Sequence, residues 1–156
     1  MLTVVRSIII AAPVPVVQSQ FADVAHHQRT AHHRGTTFKV VSDNAKTCEY
    51  EQTTKIGPLR LLQKFRLQRN NAAEQVNELL AGAFSPGSIT FTIVPTDDEH
   101  ATLVTAKLRS ERAGIIRLLA PMLRLILGRA IRVALQEDQR DLESGNYAHE
   151  RTSQQT

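Results

Sequence analysis

Four of the six histidines of this chain fall within eight residues, and they are the side chains best suited to chemistry. His27 and His32 stand in an H-x4-H relation, His26 and His33 flank them, and Asp23 lies just upstream. Imidazole is the commonest metal ligand in proteins, and two histidines with one carboxylate leave coordination positions open for a substrate. The spacing therefore predicts a metal site that lacks one carboxylate ligand.

Asp138 can supply that carboxylate, because it interrupts an apolar helical stripe. Ile131, Leu135 and Leu142 share one face of a predicted helix, and Asp138 lies in the middle of that face. A carboxylate on a buried stripe is costly unless it is paired. We therefore predict a site formed by His27, His32 and Asp138, with Fe(II) or Zn(II) as the metal and His26 as the alternative to His27.

Two metal-free interpretations stay open for these residues. The histidine segment can be an exposed polar connection in which Arg29 and Arg34 are solvated neighbours. Asp138 can be a buried acid that is bonded to a histidine or a tyrosine, and it would then raise the pKa of that histidine. Convergence of the ligand atoms in the structure separates the metal site from both interpretations.

Most of the chain between Gly35 and Arg112 alternates with the period of two that is typical of strands. The turn-like joins Asp43-Asn44, Gly57-Pro58 and Ser85-Pro86-Gly87-Ser88 connect these segments and predict an antiparallel meander. Residues 72–84 have helical propensity, but their position between two strand patterns favours a strand. With the β-branched segment Leu2–Ile10, we expect a sheet of about six or seven strands.

Helical patterns flank the strands on both sides. Pro15 suits the first turn of a short helix that Phe21 anchors in the core, and Pro121 marks the first turn of a long helix near residues 121–146. Residues 115–119 form a separate short apolar segment or lid. We predict an α+β fold with one domain over residues 1–148 and a disordered polar tail over 149–156.

A curved sheet around a long helix predicts a hollow that can hold a small molecule. Ten inward positions are expected to line it and bind the ligand: Cys48, Tyr50, Leu61, Phe65, Phe91, Ile93, Val104, Leu127, Ile131 and Leu135. The alternative is that these side chains simply fill the core.

Composition limits the partners. The 156 residues carry a net charge of +4, and the basic residues are scattered along the chain. Five Phe, two Tyr and no Trp leave few rings for stacking on bases. Nucleic-acid binding is therefore not expected.

The lone Cys48 allows no intramolecular disulfide and fits a cytoplasmic location. Arg6, Pro13 and Pro15 argue against a signal peptide. Contact of the Arg- and Leu-rich stretch 112–132 with a membrane surface is less favoured than a solvated helix face. The sequence indicates no oligomeric state.

The order of these elements resembles the START/polyketide-cyclase-like (SRPBCC) superfamily, which has the helix-grip fold. The likeness covers residues 2 to 147 and includes the segment Ile8-Ile9-Ile10-Ala11-Ala12-Pro13, which leads into the helix with Phe21 and Asp23. It implies binding of a lipid, sterol, quinone, polyketide or other aromatic molecule between sheet and helix, and in some members chemistry of the cyclase or dehydrase type.

A partial likeness to the catalytic domain of Rieske non-haem iron oxygenases concerns the histidines. That pattern is D-x2-H-x4-H with a final Asp from the long helix, whereas here Asp23-x2 leads to His26 and the H-x4-H pair is His27 and His32. One cysteine cannot hold a [2Fe–2S] centre with this chain alone. The favoured function is therefore binding of a hydrophobic molecule, and the alternative is a mononuclear Fe or Zn enzyme.

Overall fold

The computed structural model describes residues 1–112 and 114–154, apart from the side chain at position 115. It contains seven strands and five helices within these ranges. The strands are β1 (Leu2–Ile10), β2 (Thr36–Asp43), β3 (Thr47–Ile56), β4 (Leu59–Gln68), β5 (Glu74–Ala81), β6 (Gly87–Pro95) and β7 (Thr102–Ser110). The helices are α1 (Val14–Ala22), α2 (Val24–Thr30), α3 (Ile115–Leu118), α4 (Ala120–Glu143) and α5 (Asn146–Gln154).

All seven strands form one antiparallel sheet in the order β1-β7-β6-β5-β4-β3-β2. The meander from β2 to β7 follows the chain, and β1 then pairs with β7 at the far edge, where Leu2 lies opposite Ser110. Helices α1 and α2 therefore connect the two edge strands. The segment with mixed propensity is strand β5, as its position between two strands predicts, because pairing on both sides outweighs local helical preference.

Helix α4 packs against the sheet and completes the predicted helix-grip α+β fold. Leu127 belongs to a core cluster with residues of β1, β3 and β4, and Leu135 belongs to a second cluster with residues of β6 and β7. Pro121 lies in the first turn of α4, as expected. The helix ends at Glu143, short of the predicted residue 146, because Gly145 takes a left-handed conformation with φ of 77° and starts a new direction for α5.

The polar end of the chain differs from the expectation of a disordered tail over residues 149–156. Helix α5 continues to Gln154, and residues 155–156 lie outside the described residues. Tyr147 is 2% exposed and Glu150 hydrogen-bonds to a buried histidine of α2, so tertiary contacts hold this polar helix in place. Periodicity along the sequence carries no sign of such contacts.

Two details show how closely the elements pack. Gly87 begins β6 where a Cβ would lie 2.3 Å from the carbonyl oxygen of Arg109, so only glycine fits at this approach of β6 to β7. Cys48 is fully buried, as the alternation predicts, and burial together with nearby Asp43 raises the pKa of its thiol to about 11. In the described part of the chain, no helix is long and apolar enough to cross a membrane.

Candidate functional site

A cavity of about 140 Å³ lies between the sheet and α4. Its wall is mostly apolar and includes Phe21, Phe38, Phe84, Ile89, Phe91, Leu108, Leu127 and Ile131. An apolar cavity of about 150 Å³ is large enough to hold benzene, so the enclosed space here fits a single ring or a group of similar size. A longer molecule would have to extend through the opening.

Six of the ten predicted ligand-binding residues line this cavity, and four do not. Those that line it are Tyr50, Leu61, Phe91, Leu127, Ile131 and Leu135. The other four, Cys48, Phe65, Ile93 and Val104, are fully buried in the two packed core clusters, which corrects the prediction for them.

The cavity wall contains a few polar groups that are already paired. The hydroxyl of Tyr50 donates to Oδ1 of Asn77 at 2.8 Å, and both side chains are buried. Burial raises the pKa of Tyr50, so the hydroxyl stays protonated. His27, His33 and Asp138 also line the cavity and form its charged end.

The local fold around α2 explains how neighbouring histidines face one point. Asp23 caps the helix, because its carboxylate accepts a hydrogen bond from the backbone N–H of His26 at 2.9 Å. Helix α2 ends at Thr30, and the next residue, Ala31, has a φ of 47°, which is unusual for a residue other than glycine. The chain turns there, and His32 and His33 thereby return toward the side of α2 that carries His27.

Four nitrogen atoms surround one carboxylate oxygen at this end of the cavity. Oδ1 of Asp138 lies 3.2 Å from Nε2 of His27, 2.9 Å from Nε2 of His32 and 3.1 Å from Nε2 of His33. The amide Nε2 of the fully buried Gln20 approaches the same oxygen at 3.0 Å. We call His27, His32, His33 and Asp138 the Asp138 cluster. Their ligand atoms all lie within 4.8 Å of one another.

The remaining ring nitrogens of two of these histidines also have partners. Nδ1 of His27 lies 2.8 Å from the backbone carbonyl oxygen of Asp23. Nδ1 of His33 lies 2.9 Å from Oε2 of Glu137, whose other carboxylate oxygen accepts from the backbone N–H of Arg34. These contacts on Nδ1 therefore fix the orientation of both rings, with Nε2 on the side that faces Asp138.

The third ring is held in the same way. Nδ1 of His32 lies 2.8 Å from the hydroxyl oxygen of Thr30. That hydroxyl in turn donates to the backbone carbonyl of His26 at 2.9 Å. All three imidazoles thus have an outer partner on Nδ1 and direct Nε2 toward Asp138, which is the arrangement that outer partners impose on metal-ligating histidines.

A second cluster lies beside the first. Nε2 of His26 lies 2.8 Å from Oδ2 of Asp141, and Nδ1 lies 2.5 Å from Oε2 of Glu150 on α5. The ring packs edge-on against Tyr147. We call His26, Asp141 and Glu150 the His26 cluster. Nε2 of Gln20 bridges the two clusters, since it also lies 3.1 Å from Asp141.

Contacts within the two clusters lower the pKa values of the carboxyl groups and raise the pKa values of His33 and His26. Burial alone would raise the pKa of Asp138, but the imidazole of His33 and the hydrogen bonds with His27 and His32 hold it well below its ordinary value. Burial lowers the pKa of His33, and Asp138 outweighs that effect and raises it. For His26, Asp141 outweighs burial, so its pKa is raised as well.

The predicted site residues His27, His32 and Asp138 are therefore brought together. The exposed polar connection is excluded, since His26, His27 and His33 are buried. His26, the alternative to His27, bonds to Asp141 and Glu150 instead. The sequence interpretation missed His33 as a member of the cluster and missed Gln20 and Glu137 as its partners. The signal for His33 was its place in the histidine run, and the turn at Ala31 was not visible.

Comparison with solved structures identifies the fold. A protein of Thermus thermophilus matches with a TM-score of 0.79 at 14% identity, covering 92% of this chain and 98% of that one. The Zhui aromatase/cyclase of a Streptomyces species matches with a TM-score of 0.74 at 15% identity, covering 92% and 94%. A START superfamily protein of Mycobacterium smegmatis matches with a TM-score of 0.72 at 13% identity, covering 92% and 99%.

No protein-family model and no curated protein matches the sequence. The structural likeness is at low identity and concerns the fold. It spans nearly the whole of this chain and nearly the whole of each of the three proteins. The chain therefore has the START-like helix-grip fold that aromatase/cyclase proteins also have.

Proposed function

We propose that this protein binds a small, mostly apolar molecule between the sheet and α4, with one polar group of that molecule directed to the Asp138 cluster. The observation that carries the proposal is the cavity itself, which is apolar along most of its wall and has buried charged groups at one end. A hollow of this kind with a few fixed polar groups is the usual form of a small-molecule site. Water alone would be held poorly by so apolar a wall.

The size and chemistry of the cavity favour an aromatic or polyketide-like ligand, or the ring of a quinone. The enclosed volume of about 140 Å³ fits a ring. The phenyl rings of Phe21 and Phe91, which both line the cavity, pack edge to face with centroids 5.1 Å apart and offer further ring surface. Structural neighbours that are named aromatase/cyclase support this ligand class.

Chemistry of the cyclase or dehydrase type would use the same site. Such a reaction needs groups that add and remove protons next to a bound carbonyl or hydroxyl. His27 and His33 line the cavity, and their imidazoles can take these roles. A stable product formed from a bound candidate ligand separates an enzyme from a carrier, since both share the fold.

Native mass spectrometry of freshly purified protein tests the binding proposal directly. A co-purified organic molecule, or a complex with added 2-naphthol as a probe with one ring system and one hydroxyl, is the expected result. Ala134 lines the cavity, so Ala134→Phe should fill the space and weaken 2-naphthol binding at least about tenfold. Ala148→Phe on the exposed side of α5 is the matched control and should bind as the parent does.

Equal 2-naphthol binding by the parent and by Ala134→Phe would show that the probe does not enter the cavity. Absence of any co-purified molecule and of probe binding would remove the proposal. Circular dichroism of both variants verifies that the fold is retained.

The second candidate function is a mononuclear metal enzyme that acts on a molecule in the same cavity. The specific observation in its favour is the convergence of three imidazole nitrogens and one carboxylate oxygen at the cavity end. Fe(II) and Zn(II) suit the predicted ligands His27, His32 and Asp138.

A further inference from the structure

We infer that the Asp138 cluster is a four-ligand transition-metal site in which His27, His32 and His33 each ligate through Nε2 and Asp138 ligates through Oδ1. The inference deepens the proposed function, because the metal would lie at the polar end of the same cavity. It adds His33 to the ligand set that the sequence indicates.

Hydrogen bonding fixes the tautomers of two rings. The backbone carbonyl of Asp23 only accepts, so Nδ1 of His27 must carry a proton. An ionised Glu137 also only accepts, so Nδ1 of His33 must carry a proton as well. In the neutral imidazole the proton sits on one nitrogen only. When both rings are neutral, Nε2 of each is therefore an unprotonated lone pair that faces Asp138.

The same holds for His32. The hydroxyl proton of Thr30 is used in the bond to the backbone carbonyl of His26. The hydroxyl oxygen must then accept from Nδ1 of His32, which leaves its Nε2 unprotonated as well. Three nitrogen lone pairs thus face one carboxylate oxygen at 2.9–3.2 Å.

Acceptors that face an acceptor at these distances repel each other, and a cation between them removes the repulsion. Protons could supply that cation only if all three imidazoles were charged at once. Their ring centroids are 4.2 Å apart for His32 and His33, and 5.0 Å apart for His27 and His32. Three like charges so close in a largely buried site are strongly unfavourable. Four nitrogen neighbours, counting Gln20, also exceed the roughly two lone pairs of one carboxylate oxygen.

A single divalent metal ion satisfies all these groups. Ligand atoms about 2.1 Å from a tetrahedral metal are about 3.4 Å apart, close to the separations between Asp138 and the three imidazoles. Three imidazoles and one carboxylate suit Zn, Fe, Co, Ni or Cu and do not suit Mg or Ca, which prefer oxygen ligands. Oε1 of Gln20 is buried without a partner among the described residues, beside the amide nitrogen that contacts Asp138. When bound, such a metal supplies Lewis acidity toward an oxygen of the cavity ligand.

The test is metal binding by the intact protein after dialysis against EDTA. Addition of Co²⁺ should produce visible absorption bands that saturate at one ion per chain, and Zn²⁺ should abolish them by competition. Elemental analysis of the dialysed and reloaded protein gives the stoichiometry. His33→Ala and Asp138→Asn should each weaken Co²⁺ binding at least about a hundredfold, because each removes one ligand. His100→Ala, which removes an exposed histidine outside both clusters, is the matched control and should bind as the parent does.

Two results would overturn the inference. The first is that Co²⁺, Zn²⁺, Ni²⁺, Fe²⁺ and Cu²⁺ all fail to bind the parent, which would establish a metal-free histidine–carboxylate cluster. The second is that His33→Ala and Asp138→Asn bind Co²⁺ as tightly as the parent. Binding of 2-naphthol by the EDTA-treated protein is measured in parallel. Probe binding without metal binding would refute only this inference, and metal binding without probe binding would refute only the proposed function.

Discussion

The Asp138 cluster and the His26 cluster contain the same types of side chain, a few ångströms apart, but their hydrogen bonding differs. In the His26 cluster each ring nitrogen faces a different carboxylate, Asp141 on one side and Glu150 on the other, so one imidazolium satisfies both. In the Asp138 cluster three rings and the amide of Gln20 converge on a single carboxylate oxygen, which is more nitrogen neighbours than one oxygen can accept hydrogen bonds from. Residue types alone therefore do not define a metal site, and the number of nitrogen atoms that converge on one oxygen distinguishes the two clusters.

The two clusters also face different surroundings. His27, His33 and Asp138 line the cavity, where a bound molecule can reach them. His26 is fully buried and packs against Tyr147, and its partner Glu150 belongs to α5. The first arrangement suits binding and chemistry, and the second fastens a terminal helix to α2.

Metal addition should separate the clusters most strongly. Zn²⁺ at about a thousand times its dissociation constant should raise the free energy of unfolding by about 4 kcal/mol in the parent and in His26→Ala. The same addition should raise the free energy of unfolding of Asp138→Asn by about 1.4 kcal/mol at most, since a hundredfold weaker site is then only about tenfold above its dissociation constant. Urea unfolding with and without Zn²⁺ measures the difference. An equal response of all three proteins would mean that Zn²⁺ binds elsewhere.

Removal of the two central residues from metal-free protein should have unequal effects. His26→Ala should lower the free energy of unfolding by about 3 kcal/mol, because it leaves the buried carboxylate of Asp141 without its imidazole partner. Asp138→Asn should cost about 1 kcal/mol or less, since an amide N–H can donate to the imidazole lone pairs that now face a carboxylate. Urea unfolding in EDTA gives both values. A larger cost for Asp138→Asn would show that the metal-free Asp138 cluster is an ordinary salt bridge.

Glu150→Gln sharpens the role of the His26 cluster in fastening α5. The side chain of Glu150 is 27% exposed, so the loss of charge should cost only about 1 kcal/mol. Hydrogen exchange of the α5 amides should nevertheless become faster, while exchange in α4 stays unchanged. If the α5 amides exchange as slowly as in the parent, the packing of Tyr147 alone is sufficient to hold the helix.

Arg29→Ala should have the smallest effect. Arg29 pairs with the outer carboxylate oxygen of Glu150 at 3.0 Å, but its side chain is 45% exposed. A surface pair of this kind contributes about 0.5 kcal/mol or less. Urea unfolding should barely distinguish the variant from the parent, and Co²⁺ binding should be unchanged. A loss above that of Glu150→Gln would assign Arg29 a role that the ion pair does not explain.

The fold could be predicted from the sequence because burial imposes a period on the chain. Alternating apolar residues in β2 to β7 indicate which side of the sheet faces the core. The apolar stripe with a period of 3.6 residues does the same for α4. The same reasoning placed Asp138 inward, since Ile131 and Leu135 share its face. Periodicity could not give the distance at which α4 stands from the sheet. Phe65 and Ile93 were therefore predicted to line the cavity, although they lie in the packed core.

The site was only partly predictable because its geometry depends on irregular backbone. A regular helix or strand would direct the neighbours His32 and His33 to different sides, and the left-handed conformation of Ala31 changes their direction. The partners of these rings come from elements far along the chain, as Glu137 does for His33 and Glu150 does for His26. No local pattern records such pairs.

The pairing of β1 with β7 has a consequence for the order of events during synthesis. Leu2, Val4 and Ile10 emerge from the ribosome before their partner strand, Thr102–Ser110, which follows only after strands β2 to β6. The apolar side chains of β1 therefore stay exposed to solvent until β7 has been synthesised. Exposed apolar surface of this kind makes nascent chains prone to aggregate or to bind chaperones. Asp138 arrives later still, so neither the cavity nor the Asp138 cluster exists in a partly made chain. Binding at either one would report only on molecules that have completed folding.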